Sequence, residues 1–267
     1  MLRISVVTPC LNSGRFIRQT IDSVLAQCGP FEIDYVVVDG GSRDDTLAIL
    51  KGYRDRLRYF SGPDRGHVDA LNRGMGMCSG DIVGWLNSDD VLLPGAFEMI
   101  ASAFEGQTGL DWVHGRCLLI DQTGNEIQSW ISWYKHQRCL RHSFRRLLLE
   151  NYISQMTVYW RRELLAEVGM LDGSMPLAFD YDLWLRLALR NAPGYLPVPL
   201  AAFRRHPASL SARNYPEMFR QELQVAERYS VGFPHLLPAK RLRMRLFGLV
   251  YNSLDLGQDR RTSVKEP

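Results

Sequence analysis

Four short apolar runs of strand length, each followed by residues at helical spacing, fill about the first hundred positions, and this alternation constrains the fold more than any other feature. A period of two giving way repeatedly to a period of 3.6 is the pattern of an α/β chain, a mixed but mostly parallel sheet with helices on both faces. "ISVVTP" reads as a buried strand, and behind it Phe16, Ile17, Thr20, Ile21, Val24 and Leu25 recur at helical spacing with Asn12 or Ser13 placed to cap. "IDYVVVDGG" reads as a second strand followed by a helix from Asp44 to Tyr53, and "LRYFSG" as a third followed by a helix from Val68 to Met77. "DIVGWLN" is the fourth, with Pro94 opening another helix. Crossovers between such strands are right-handed, and ligands bind beyond the carboxyl ends.

After Gly106 the rhythm is lost. "DWVHGRCLLIDQTGNEI" suggests a hairpin about Thr123 and Gly124, "SQMTVYW" a strand, "RELLAEV" a helix stopped by Gly169, and Asp180 to Arg190 a strong helix. Without a repeat or a low-complexity linker, a nucleotide-binding half (1–105) and a more irregular half (106–212) are expected to form one domain, with a helical extension over 213–267.

Composition excludes several classes. The chain has 267 residues, of which 46% are apolar and 23% charged, enough for one sizeable core. Its five cysteines form no CxxC pair, so neither a disulfide framework nor a structural zinc site is indicated and a reducing cytoplasm is expected. No signal peptide is expected before the strand pattern at Ile4, and no apolar run is long enough to span a bilayer. A net charge of +3 and the lack of a basic and aromatic stripe argue against nucleic acid as a partner.

The four expected strand ends share a chemistry. Each delivers an oxygen group to one rim of the sheet: Thr8, Asp39, Asp64 and the "NSDD" of Asn87 to Asp90. Carboxylates so gathered repel one another unless a cation intervenes. Oxygen ligands favour Mg²⁺ or Mn²⁺, which complete their shells with water and substrate phosphates, so the implied ligand is a nucleotide diphosphate. Single acids also have plainer readings: Asp39 before two glycines suits a turn, and Asp89 or Asp90 suits a helix cap. "GMGMCSG" looks like a dinucleotide loop but ends a helix instead of opening one. The chain contains no GxxxxGK[ST], GxSxG or HExxH.

In order along the chain, "VVTPCLNSGRFIRQTIDSVLAQ", "VVVDGGSRDDT", "PDRGHVDALNRG", "GDIVGWLNSDD", "YWRRELLAEVGMLD", "FDYDLWLRLA" and "FRRHPASLS" resemble a family 2 glycosyltransferase of the GT-A fold, the kind that builds bacterial surface polysaccharides. The resemblance covers about residues 3 to 212 and implies a nucleotide-diphospho-sugar transferase that moves one sugar to a hydroxyl acceptor with inversion. It implies nucleoside contacts at Thr8, Pro9 and Asp39, and base and diphosphate contacts at Asp64 and Arg65, with Asp69 and Asn72 on one helix face. The family's DXD motif falls on "NSDD", where Asn87 replaces the first acid. Asp89 is therefore the expected metal ligand, Asn87 and Ser88 lie on the donor side, and Asp90 and Gln155 lie near the sugar or acceptor. Asp180 matches the position of the general base, although Phe179 replaces the acid that commonly precedes it; an N-cap is its plainer role. His206 resembles a histidine that reaches metal or diphosphate.

Two basic stretches, Lys135 to Arg146 and Ala239 to Tyr251, the second interleaved with Leu242, Leu246, Phe247, Leu249 and Val250, suit an anionic bilayer surface or a helix packed on the body. A carbohydrate or lipid-linked carbohydrate acceptor and peripheral attachment at the inner face of the plasma membrane are the corresponding expectations. Two rivals remain: a sugar-phosphate nucleotidyltransferase, for which "PCLNSGRF" offers few phosphate-binding residues, and a non-catalytic nucleotide-sugar-binding scaffold subunit, kept open by Asn87 and Phe179.

Overall fold

The computed structural model describes residues 1–207, 209 and 214–248. Its first half follows the expected alternation: β1 (Leu2–Cys10), α1 (Ile17–Leu25), β2 (Phe31–Asp39), α2 (Thr46–Lys51), β3 (Arg58–Ser61), α3 (His67–Gly76), β4 (Ile82–Trp85), a two-residue β5 (Val91–Leu92) and α4 (Ala96–Gly106). The second half comprises β6 (Trp112–Ile120), α5 (Ser129–Cys139), α6 (Phe144–Leu149), a 3₁₀ turn at Gln155–Thr157, β7 (Tyr159–Arg161), α7 (Arg162–Val168), α8 (Phe179–Arg190), β8 (Gly194–Arg204) and α9 (Tyr215–Tyr229), followed by a helical segment at 236–248. The expected 213–267 extension is thus described from 214 to 248; Leu249 and Val250 of the second basic stretch lie outside the described residues.

All eight strands join one sheet in the order β3-β2-β1-β4-β7-β6-β8-β5. β1 pairs in parallel with β2 and β4, β2 with β3, and β6 with β8; β7 runs antiparallel to β4 and β6, and β5 antiparallel to β8. Six strands therefore point one way. Alternate residues face opposite cores: Ile4, Val6 and Ile82 pack toward α1 and α4, while Val7, Val83 and Trp85 pack toward α3 and α8. On the second face the Trp184 ring stacks on Trp85 at 5.4 Å and on Trp112 at 6.3 Å, and Trp160 meets Trp85 edge-on at 5.5 Å.

Several details differ from the sequence reading. β8 carries Pro197 and Pro199, which read as irregular; the ladder with β6 accommodates them through register shifts on either side of Arg116. The hairpin about Gly124 closes with one antiparallel bridge, Ile120 to Glu126, and "SQMT" forms a 3₁₀ turn before β7 begins. Neither Asn12 nor Ser13 caps α1, whose first backbone N–H groups are served by the Ser13 carbonyl. The glycines of "GMGMCSG" allow close packing: a Cβ on Gly74 would lie 2.3 Å from Val7 Cγ1, and one on Gly80 would lie 2.6 Å from the Arg3 carbonyl.

His114 on β6 is fully buried, and neither ring nitrogen has a hydrogen-bond partner. Burial, reinforced by His142, pushes its pKa down to about 3. A base held neutral in the fold contributes stability that is fully present above its unfolded pKa of roughly 6.5 and is lost as pH falls toward the folded value. Replacing His114 with Phe should change the pH dependence of unfolding free energy by about 1.4 kcal/mol per pH unit between roughly pH 4 and 6.5, measured by denaturant titration. A wild-type-to-variant difference that stays constant over that range contradicts this account.

Candidate functional site

At the carboxyl ends of β1 and β2 two loops are laced together. Asn12, which tolerates its left-handed φ of 49°, accepts the Arg43 N–H through Oδ1, and its own N–H goes to Ser42 Oγ at 2.7 Å. Ser13 N–H donates to Thr46 Oγ1, and Gly14 N–H to Asp44 Oδ2. Asp39 sits within this lacing and accepts from the Gly41 and Ser42 N–H groups, the Ser61 hydroxyl at 2.7 Å and the Ser42 hydroxyl. Burial acts to raise its pKa, but the donors of Ser42, Ser61 and Gly41 outweigh it and hold the group below the usual carboxylate value. Asp39 is therefore a fixed anion.

Thr8 and Pro9 are buried behind this rim, and Thr8 Oγ1 meets the Tyr35 hydroxyl at 3.0 Å in the core. The Thr8 side chain does not reach the open face where the sequence reading placed it, because residue 8 takes the inward side of the β1 pleat. Asp64 accepts the Gly66 N–H at 2.9 Å and approaches Gly40 so closely that a Cβ there would lie 2.7 Å from its Oδ2. Arg65, with a 90% exposed side chain, pairs with Asp69 at 2.9 Å. Asn72, one turn beyond Asp69 on α3, exchanges hydrogen bonds with the Leu171 backbone at 3.0 Å.

The "NSDD" segment follows β4. Ser88 Oγ lies 2.7 Å from Ser13 Oγ, joining it to the first loop. Asn87 Nδ2 donates to Gln155 Oε1 at 3.0 Å and to Asp90 at 3.3 Å, and Gln155 Nε2 donates to the Trp85 carbonyl at 2.9 Å. Asn87 Oδ1 is buried without a partner. Asp90 is wholly buried, accepts the Arg204 N–H at 2.9 Å, and has a pKa raised by burial and then by the charge of Asp89. Asp90 and Gln155 thus stand behind Asn87 rather than on the open side. Asp89 Oδ2 lies 2.9 Å from His206 Nε2.

Two residues that hold this segment were not singled out from sequence. Arg204, at the end of β8, donates to the carbonyls of Asp89 and Asp121 and to Gln19 Oε1, with its guanidinium 4.8 Å over the Phe16 ring. His67 at the start of α3 packs on Phe179 at 5.6 Å; burial drives its pKa down to about 4 against the pull of Asp89 and Asp64. The period-two spacing of Arg204 and His206 at a strand end was the available signal for the first.

α8 places Asp180 in its first turn, with Ala178 at the N-cap position. Asp180 Oδ1 accepts the Tyr181 N–H at 2.7 Å, so the acid serves the helix end without capping it. Burial raises the Asp180 pKa, opposed by the Tyr181 N–H, by Asn151 and by the charge of Lys135. Asp182 faces away, as its spacing implied, and bonds Arg186 at 2.8 Å and Tyr229 at 2.9 Å.

Among the described residues no three His, Cys, Asp or Glu side chains converge as a metal cluster. Asp89, His206 and the unpartnered Asn87 Oδ1 nevertheless fit a divalent cation that takes its remaining ligands from phosphate and water, and the histidine nitrogen favours Mn²⁺ over Mg²⁺.

A mostly parallel sheet ending in acidic loops, followed by an antiparallel strand and a half-buried acid on a helix, defines the GT-A class. The chain superimposes with a TM-score of 0.63 on S. aureus TarS 1–349 in complex with UDP-GlcNAc, at 20% identity over 84% of this chain and 66% of that one. With glucosyl-3-phosphoglycerate synthase of Mycobacterium tuberculosis, solved with Mn²⁺, uridine diphosphate and phosphoglyceric acid, the TM-score is 0.60 at 21% identity, over 84% and 78% of the two chains. The model of glycosyl transferase family 2 matches residues 5–169, and the chain belongs to that family. It is also 29% identical over 192 residues to the chondroitin synthase of Escherichia coli, covering 69% of this chain and 26% of that enzyme. The chain likewise spans 32% of the length of the first two curated relatives it matches.

Arg204→Met should leave the carbonyls of Asp89 and Asp121 unpaired and cost roughly 2–4 kcal/mol in denaturant unfolding. A loss below about 0.5 kcal/mol, ordinary for a surface change, contradicts this role.

Proposed function

We propose that this chain transfers a single sugar from a nucleotide diphosphate sugar to a hydroxyl group of a carbohydrate or lipid-linked carbohydrate acceptor, with inversion, in cell-surface polysaccharide synthesis. The observation that carries the reading is the Asp89–His206 pair at 2.9 Å beside the unpartnered Asn87 oxygen, at the same sheet edge as Asp39 and Asp64. The bound nucleotide and Mn²⁺ named for the glucosyl-3-phosphoglycerate synthase neighbour, and the polysaccharide named for the chondroitin synthase relative, support it.

In this reading Asp39 and Asp64 receive the nucleoside, with the backbone at Thr8 and Pro9 forming the floor and Ser88 joining the donor side. Asp89 and His206 would hold a divalent ion, which when bound would supply positive charge for the leaving diphosphate. Arg65, freed from Asp69, adds a second positive group at the same place. Asp90 and Gln155 act by fixing Asn87 and the Asp89 backbone. The acceptor oxygen attacks the anomeric carbon from the face opposite the diphosphate; the carbon–oxygen bond to the diphosphate breaks with its electron pair, and the acceptor proton passes to Asp180. A carboxyl with a raised pKa is suited to keep that proton.

The acceptor side also offers a membrane-facing surface. Trp130 and Trp133 are 55% and 61% exposed on one side of α5, and Leu242 and Leu246 are exposed on the adjoining segment 236–248, which Arg243 ties to Tyr134 at 2.9 Å. Part of the expected basic surface is folded inward, with Arg138 and Arg243 on Glu150; Arg241, paired with Glu227, and Arg141, Arg145 and Arg245 are exposed. Amphipathic tryptophans beside exposed arginines suit the headgroup layer of an anionic bilayer, in keeping with peripheral attachment at its cytoplasmic side. No described helix is long and apolar enough to cross it.

Asp180→Asn should lower nucleotide diphosphate release from the donor by roughly 10²–10⁴-fold while leaving nucleotide affinity unchanged. Unchanged turnover would remove Asp180 as the base and favour the scaffold reading. The Trp130→Ala/Trp133→Ala variant should lose most of its co-sedimentation with phosphatidylglycerol-containing vesicles, and undiminished sedimentation would count against this face.

A further inference from the structure

The 3₁₀ turn that steadies Asn87 also reaches two cations that the proposed transfer does not use. Gln155, at its start, accepts the Asn87 amide at 3.0 Å. Ser154, just before it, accepts from Lys135 Nζ of α5 at 3.4 Å, and Thr157, at its end, donates to the Gly115 carbonyl of β6 at 3.2 Å. Arg116 follows Gly115. Its neighbour Cys117 packs into the opposite core, so Arg116 takes the α5 side of β6 together with His114. There the His114 ring lies 5.0 Å from that of Tyr195, whose hydroxyl meets Nδ1 of His136, the residue after Lys135, at 2.5 Å. One turn and one tyrosine thus bring Lys135 and Arg116 to the same seam between α5 and β6. Among the described residues neither cation has a carboxylate within ion-pair distance, whereas Arg138 and Arg243 share Glu150 and Arg186 holds Asp182. Arg116 is half-buried and its Nε is buried without a partner. The Ser132 hydroxyl, three residues before Lys135 on α5, is likewise buried and unpartnered. Half-buried charge left in this state is costly unless an anion completes it.

We propose that Arg116 and Lys135 bind a phosphate group of the acceptor, so that the carbohydrate receiving the sugar is a phosphate-bearing one. This rests on the transferase reading and names its acceptor class. A guanidinium fork from a strand and an ammonium from a helix suit a tetrahedral dianion, which offers oxygens to both; a planar carboxylate is satisfied by the fork alone. The surrounding charges agree with this placement. Burial and then the charge of Arg116 lower the His136 pKa, and the charge of Lys135 is among the groups that oppose the burial-driven rise at Asp180. The turn Gln155–Thr157 would then serve both substrates, holding the acidic rim through Asn87 and the phosphate site through Ser154 and Thr157.

Calorimetric titration of the full chain with glucose 1-phosphate and with glucose tests this without turnover. The sugar phosphate should bind and the plain sugar should not. Lys135→Gln and Arg116→Gln should each weaken the sugar phosphate by roughly tenfold or more, while Arg141→Gln, which removes an exposed charge from the same basic stretch, should leave it unchanged. UDP with Mn²⁺ should not displace it. Absence of sugar-phosphate binding, an affinity unmoved in Lys135→Gln, equal weakening in Arg141→Gln, or displacement by UDP with Mn²⁺ overturns the proposal. Lys135→Gln decides alone if the arginine variant does not fold. Lipid headgroups are a second source of phosphate: Lys135→Gln should sediment with phosphatidylglycerol-containing vesicles as wild type does, and a loss confined to vesicles would assign the pair to the bilayer instead. Failure of the transferase reading is read separately, since no donor would then be turned over while these differences in binding persist.

Discussion

Carboxylates crowded on one sheet edge must each find compensation, and the way this chain distributes that compensation decides what its rim can do. Asp39 is satisfied by serine hydroxyls and backbone N–H groups, Asp44 by Thr46 and the Gly14 N–H, and Asp90 by burial and the Arg204 N–H. Asp89 is left facing His206, and Asp64 facing the short turn before α3. The first three acids build the loops. The last two face a single imidazole and a short turn and keep lone pairs open to a ligand. In the proposed reading, a diphosphate with a divalent ion would complete the charge balance that the protein leaves open.

This division was partly legible in the sequence. The alternation of strands and helices in the first half was readable because β1, β2 and β4 are buried on both faces and the helices on one, which writes two different periods into the chain. The second half was harder. β8 contains two prolines and irregular pairing with β6, and β7 is only three residues long, so neither leaves a clean period. Among site residues, the acids at strand ends were visible because a strand end followed by Gly or Asp is a local signal. Which carboxylate serves structure and which stays open was not, since that depends on partners far away in sequence: Arg204 on Asp90, His206 on Asp89, and Tyr35 on Thr8. Asn87 reads as a weakened metal position, whereas in the structure its amide nitrogen serves Gln155 and Asp90 and leaves the oxygen unpartnered. Lys240 reads as one of a basic surface stretch, whereas in the structure it is 1% exposed and lies 3.9 Å from Glu222, a partner that nothing near it in sequence announces.

The two halves meet through aromatic packing. Phe179, which replaces an acid common in the family, lays its ring on His67 and on Trp85, so the residue before Asp180 is anchored to the strand that carries "NSDD". Trp184, one turn further along α8, stacks on the same Trp85. Asp180 is thereby held at a fixed offset from the acidic rim by rigid rings on regular elements, and in the proposed reading this offset would place it for the transfer.

The most direct measurement is a thermal-shift panel of UDP, dTDP, GDP and CMP, each with and without Mn²⁺, on wild type and Asp89→Ala. A ligand at a hundred times its Kd adds about 2.7 kcal/mol, which for a chain of this size raises Tm by roughly 5–10 °C. The account predicts such a rise with a nucleoside diphosphate that requires Mn²⁺ and disappears in Asp89→Ala. The absence of a shift with every nucleotide, with or without the metal, would contradict it.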